Sequence, residues 1–222
     1  MRFAARLCAG ALLLPVPAFA ASRLHSVVLG GWMTVKWVST DDAQAKPVDL
    51  KIRPLVVDGK DKEWITGGVH EVTERTFVAQ RVYRLNDSLP QESGAIHWRW
   101  ERGPWLLIDR TTGKVQALNL PAFDPYDSSV SWFRDYAAYC GISEDGKKHV
   151  AVVAQLGRRK PLLKKELTRQ QSEGNEVCPT PVWERSPARV TFAPAGQTFT
   201  YTIEDRAVAV DVATKDEDEP GE

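Results

Sequence analysis

The chain has 222 residues, with 29 lysines and arginines against 29 acids, 43% hydrophobic residues, 15 glycines, 14 prolines and three cysteines. That length suits one domain or two small ones, and the apolar share excludes wholesale disorder, a collagen-like repeat and a disulfide-dense scaffold. A formal net charge of zero gives no electrostatic reason for a nucleic-acid partner, and none is expected.

Residues 1–20 have the pattern of a signal peptide. Arg2 and Arg6 make a basic start, Leu7 to Leu14 an apolar run, and Pro15 and Pro17 end it; Ala18-Phe19-Ala20 supplies the small-x-small motif that precedes a cut. The run is too short to span a bilayer. A lipoprotein is the competing idea, but Cys8 precedes most of the apolar stretch, where a modified cysteine would follow it. The mature chain is therefore expected to be exported, periplasmic or secreted, without a transmembrane segment.

Residues 21–214 are expected to form a single all-β domain. Strand-like runs occupy 24–29, 32–38, 50–57, 77–85, 96–100, 105–108 and 137–142. The stretch 149–156 is apolar on both alternating sets, as a central covered strand would be. In 198–203, Phe199, Tyr201 and Ile203 share one face; Glu204-Asp205-Arg206 turns the chain, and Val208, Val210 and Val212 resume the period. Segments 41–47, 87–94 and 172–180 are loops by composition. Residues 161–171 fit either a short helix carried by Leu163 and Leu167 or a strand followed by a loop. The charged tail 215–222 has nothing to bury and is expected to be disordered.

Four turn-like triplets separate the runs: Asp58-Gly59-Lys60, Thr112-Gly113-Lys114, Asp145-Gly146-Lys147 and Ala195-Gly196-Gln197. Glycine accepts the positive φ of a tight hairpin. The four glycines stand 54, 33 and 50 residues apart, near the roughly 40–50 residues of a propeller blade. Ile108-Asp109-Arg110-Thr111-Thr112-Gly113-Lys114-Val115 resembles the inner hairpin of quinoprotein-like and related bacterial β-propeller repeats, and residues 140–156 follow the same outline of strand, acidic-glycine turn and strand. The resemblance implies an architecture and no activity: a small propeller-like array of about four antiparallel sheets. A β-sandwich is the alternative.

Export would remove Cys8 and leave Cys140 and Cys178 as a pair in an oxidising compartment, so a disulfide is predicted. Nucleophile elbows, Ser-x-x-Lys and phosphate-binding glycine loops do not occur, and no cofactor is expected. His25, His70, His97 and His149 are scattered without ligand spacing, so no metal is expected. Asp124 and Asp127, in Phe123-Asp124-Pro125-Tyr126-Asp127-Ser128, suit turn chemistry; as a catalytic alternative they are a carboxylate pair able to act as general acid and base on a sugar.

Tryptophan, at eight residues, is unusually frequent. Trp98 and Trp100 share a strand face, with Arg99 on the other, and Trp105 follows across Gly103-Pro104. Such rings either fill a β core or stack against a sugar or peptide. Arg158, Arg159, Lys160, Lys164, Lys165 and Arg169 form a basic cluster suited to an anionic polymer, lipid phosphates, an acidic partner or the chain's own tail. The bland alternative is a solvated edge that resists strand pairing. Together these features predict an exported non-catalytic binding or scaffolding protein of the periplasm or cell envelope. A hydrolase acting on a sugar or ester, or a subunit of a larger envelope assembly, are the alternatives.

Overall fold

The computed structural model describes residues 25–38, 46–88, 91, 96–167, 178–194, 197–203 and 210–213. The leader-like segment 1–20, the tail 215–222 and Arg169 lie outside the described residues. Among those described, every regular element is a β-strand, and no helix is long and apolar enough to cross a membrane. The chain is all-β, with three sheets that are antiparallel save for one parallel bridge.

The first sheet has seven strands: β1 (Val27–Leu29), β2 (Met33–Trp37), β3 (Val48–Val57), β4 (Lys60–Glu71), β5 (Thr76–Asn86), β6 (Trp98–Asp109) and β7 (Val115–Ala117). One edge of β3 carries β4, and the other carries β1 and then β2. Pro54 sits in the middle of this strand without an N–H to donate. Opposite it the neighbouring chain breaks at Gly30-Gly31-Trp32, and the register moves by one residue, from Leu29 opposite Leu55 to Met33 opposite Ile52. A break in the partner is how a sheet accommodates proline. Gly30 N–H still donates to the Pro54 carbonyl at 2.9 Å, and a Cβ at Gly30 would lie 2.5 Å from Pro54 Cγ, so only glycine fits that approach.

A two-residue turn, Asp58-Gly59, both at positive φ, sends β3 into β4. The meander continues through β5 to β6, whose free edge meets β7 along one stretch and β2 at a single parallel bridge, Trp37 opposite Trp100. One bridge curls the sheet without closing it into a barrel. Strand β5 is covered on both faces. Phe77 and Ala79 pack with Leu55, Ile65, Leu106 and Ile108, while Val78, Gln80 and Val82 are buried on the opposite side.

The other two sheets are consecutive four-stranded meanders. One contains β8 (Ser131–Phe133), β9 (Tyr136–Ile142), β10 (His149–Gln155) and β11 (Leu163–Glu166); the last contains β12 (Val182–Arg185), β13 (Ala188–Phe192), β14 (Thr198–Thr202) and β15 (Val210–Ala213). Ala138, Cys140, Ala151, Val153 and Leu167 of the first of these meet Val190, Phe192, Phe199 and Tyr201 of the second. Ala137, Tyr139, Val150 and Val152 cover the other face, against Leu120, Phe123, Val130 and Trp132. Two packed faces explain the unbroken apolar run of β10. The described part of 161–171 is strand rather than helix. The Cys140–Cys178 disulfide ties β9 to the approach of β12 across a sequence separation of 38 residues, a closure that restricts the unfolded chain by roughly 4 kcal/mol in the chain-entropy account.

The three described turn glycines mark hairpins rather than units of equal size, and Gly196 lies outside the described residues. Gly59 and Gly113 both belong to the seven-stranded sheet, and Gly146 joins β9 to β10.

Candidate functional site

Strands β5 and β6 carry four arginines, two on each face. Tyr83 opposes Glu101 and Leu85 opposes Arg99, which puts Arg81 and Arg99 on one side. Val82 opposes Arg102, Arg84 opposes Trp100 and Asn86 opposes Trp98, which puts Arg84 and Arg102 on the other. Farther along, Gln80 opposes Trp105, so β6 holds one extra residue at Gly103-Pro104. That bulge brings odd-numbered Trp105 onto the face of even-numbered Trp98, Trp100 and Arg102. A Cβ at Gly103 would lie 2.8 Å from Tyr83 Cε1, so the bulge uses a residue without a side chain.

The result is a tryptophan–arginine strip running from solvent into the protein: Trp98 is 51% exposed and Trp105 only 9%. At the outer end the Arg84 guanidinium lies 4.6 Å from the Trp98 ring centre and 5.9 Å from that of Trp100, and Trp64 meets Trp100 edge-on at 5.7 Å. At the inner end Arg102 Nη2 donates to Gln80 Oε1 at 2.8 Å, and its guanidinium lies 5.4 Å from the Trp37 ring centre. Trp132 of β8 roofs this end, edge-to-face with Trp105 at 5.3 Å and stacked on His70 at 5.9 Å; His70 Nε2 is 2.8 Å from the Arg134 carbonyl.

Charge is balanced on one face and unbalanced on the other. Arg81 Nε lies 2.8 Å from Glu63, and Arg99 Nε lies 2.5 Å from Glu101 Oε1, an ion pair whose N–H points off the hydrogen-bond direction. The Tyr126 hydroxyl donates to the second oxygen of buried Glu101, and Tyr126 stacks on Trp37. Burial first, then the bond to Glu101, pushes the Tyr126 phenol well above its ordinary range. Neither Arg84 nor Arg102 has a carboxylate partner among the described residues. Burial pulls the Arg102 guanidinium below the usual arginine value, though arginine remains charged in proteins. The indole N–H groups of Trp37, Trp105 and Trp132 are buried without an acceptor among the described residues. This end of the strip holds more donors than acceptors.

The other candidate residues fall elsewhere. Asp124 forms a local turn: its carboxylate accepts the Tyr126 and Asp127 N–H groups at 2.8 and 3.2 Å, and its own N–H donates to Ser128 Oγ at 3.0 Å. Burial first, then the neighbouring Asp124 charge, raises the Asp127 carboxyl above its ordinary range, with His149 acting in the opposite sense. Arg158, Arg159 and Lys160 are exposed in the β10–β11 connection, and Lys164 is exposed on β11. Lys165 turns inward, its ammonium 4.1 Å from the Phe199 ring centre between the two smaller sheets. Among the described residues no hydrogen bond, ion pair or ring contact joins the basic cluster to the strip. Nor do three His, Cys, Asp or Glu side chains gather as a metal would require.

Four strip members went unrecognised in the sequence: Trp37, Trp64, Arg84 and Arg102. Arg84 and Arg102 each alternate correctly with their neighbours, but alternation assigns a face only once the register is known. No protein-family model, curated protein or solved structure matches the chain.

Proposed function

We propose that the chain is an exported, non-catalytic binding protein of the periplasm or cell envelope, whose ligand sits on the strip formed by Trp98, Trp100 and Arg84. The supporting observation is that two arginines lie against indole rings without a carboxylate partner among the described residues, while the other two arginines of the same strands are matched to carboxylates. Exposed aromatic area bordered by charge marks an interaction surface, and tryptophan and arginine are the side chains most enriched where binding energy concentrates. Export rests on the pattern of residues 1–20, with the disulfide in keeping.

In architecture, the two four-stranded meanders support the propeller-like array, since blades have that form, and their face-to-face packing equally supports the sandwich alternative. Assembly by strand addition has little to work with. The described edge strands β1, β7, β8, β11, β12 and β15 are three or four residues long, and β2, joined to β6 at Trp37 alone, has five, too short to template extended pairing.

A glycan-array comparison of the processed chain with a Trp98→Ala/Trp100→Ala variant tests this reading. Signal that disappears in the folded variant supports it; identical profiles reject the strip as the binding surface. The hydrolase alternative draws on one observation, the raised Asp127 carboxyl beside Asp124. It requires turnover of a bound glycan that Asp127→Asn abolishes, and binding without turnover rejects it.

A further inference from the structure

We infer that the strip selects an acidic polysaccharide, with pyranose faces stacking on Trp98 and Trp100 and a sugar carboxylate meeting the arginines. The inference rests on the binding reading above and adds the chemical class of the ligand. The negative face of an indole attracts polarised C–H bonds, which a pyranose ring presents in a flat array. Trp98 and Trp100 stand two residues apart on one strand face, next to Trp64, and so form a short platform rather than a single ring.

The anionic requirement comes from the donor excess. Among the described residues Arg84 has ring neighbours only, at 4.6 and 5.9 Å. Arg102 spends one N–H on Gln80 and has no carboxylate among the described residues. The indole N–H groups of Trp37 and Trp105 also lack an acceptor among the described residues, but they are buried beneath the surface, so the two arginines alone carry the requirement. A carboxylate accepts two parallel N–H groups from a guanidinium, and the arginine edge left open by ring stacking presents such a fork. Single-stranded nucleic acid also stacks on aromatic rings, but it needs a cationic track along its phosphates. The strip supplies two cations, and among the described residues the exposed Arg158-Arg159-Lys160 group makes no contact that would extend it.

Tryptophan-fluorescence titration of the full processed protein distinguishes these cases, using oligogalacturonate and its fully methyl-esterified form as probes. These share a backbone and differ in charge. The acid form should bind at least tenfold more tightly at low salt, and the difference should shrink as salt screens it. Arg84→Gln, an exposed substitution whose fold is checked by circular dichroism, should bring the acid form down to the affinity of the ester. Trp98→Ala should abolish binding of both.

Equal binding of acid and ester, lost in Trp98→Ala, overturns the carboxylate inference and leaves the binding reading standing. Failure of oligogalacturonate, alginate and heparin alike to bind at low salt overturns the inference. A Trp98→Ala protein that behaves as the parent on the glycan array overturns the binding reading too. Retention by phosphatidylglycerol vesicles, with no response to the acidic oligosaccharides, also overturns it and assigns the donors to lipid phosphate.

Discussion

Arg81 and Arg99 on one face of β5 and β6 meet Glu63 and Glu101, whereas Arg84 and Arg102 on the other meet tryptophan rings and a glutamine amide. Stability alone does not separate these arrangements. A partly exposed ion pair contributes about 0.2–1 kcal/mol, and a guanidinium over an indole about 0.5–2 kcal/mol depending on desolvation. What differs is the capacity left over. A carboxylate uses the N–H edge of the guanidinium, while a ring uses its flat face and leaves the edge free. The first face is chemically complete, and the second has donors to spare.

Substitutions on the two faces sharpen that contrast. The largest loss is expected for Phe77→Ala, which empties a fully buried site among Leu55, Ile65 and Ile108. Chemical denaturation should show a loss of about 3–5 kcal/mol, with glycan binding by the remaining folded protein unchanged. Glu101→Gln comes next. It strips the charge that faces Arg99 and accepts from Tyr126, and about 1–3 kcal/mol should be lost, again without effect on binding at the strip. The smallest stability effect is expected for Arg84→Gln, within about 0.5 kcal/mol by the same denaturation assay, although of these three substitutions it carries the largest binding effect. If Arg84→Gln left binding of the acidic probe unchanged while Glu101→Gln weakened it, the two faces would not differ in the way described.

Local pattern led to most strands and missed one of the longest. Strand β4 begins Lys60-Asp61-Lys62-Glu63 and contains Gly67-Gly68, which no strand propensity favours. It is held by pairing with β3 on one edge and β5 on the other. Propensity loses there to a partner on each side. Lys165 was legible as a charge and belongs to a basic run, yet β11 pairing turns it over Phe199, while Lys164 beside it faces solvent. For Asp124, the turn chemistry suggested by the following proline is what the structure contains.

Residue sequence by itself determined the all-β class, the double-sided burial of β10 and the partnership of Cys140 with Cys178. Each follows from a two-residue period or from the identity of a side chain, and both act over a few positions of backbone. Tertiary structure decided which tryptophans join one strip, because a face is defined only against a neighbouring strand. One inserted residue at Gly103-Pro104 reverses the parity of everything beyond it. It also decided that Arg81 found a carboxylate, since Glu63 comes within reach only when β4 and β5 lie side by side, whereas Arg99 and Glu101 share a face of β6 two residues apart and meet by alternation alone.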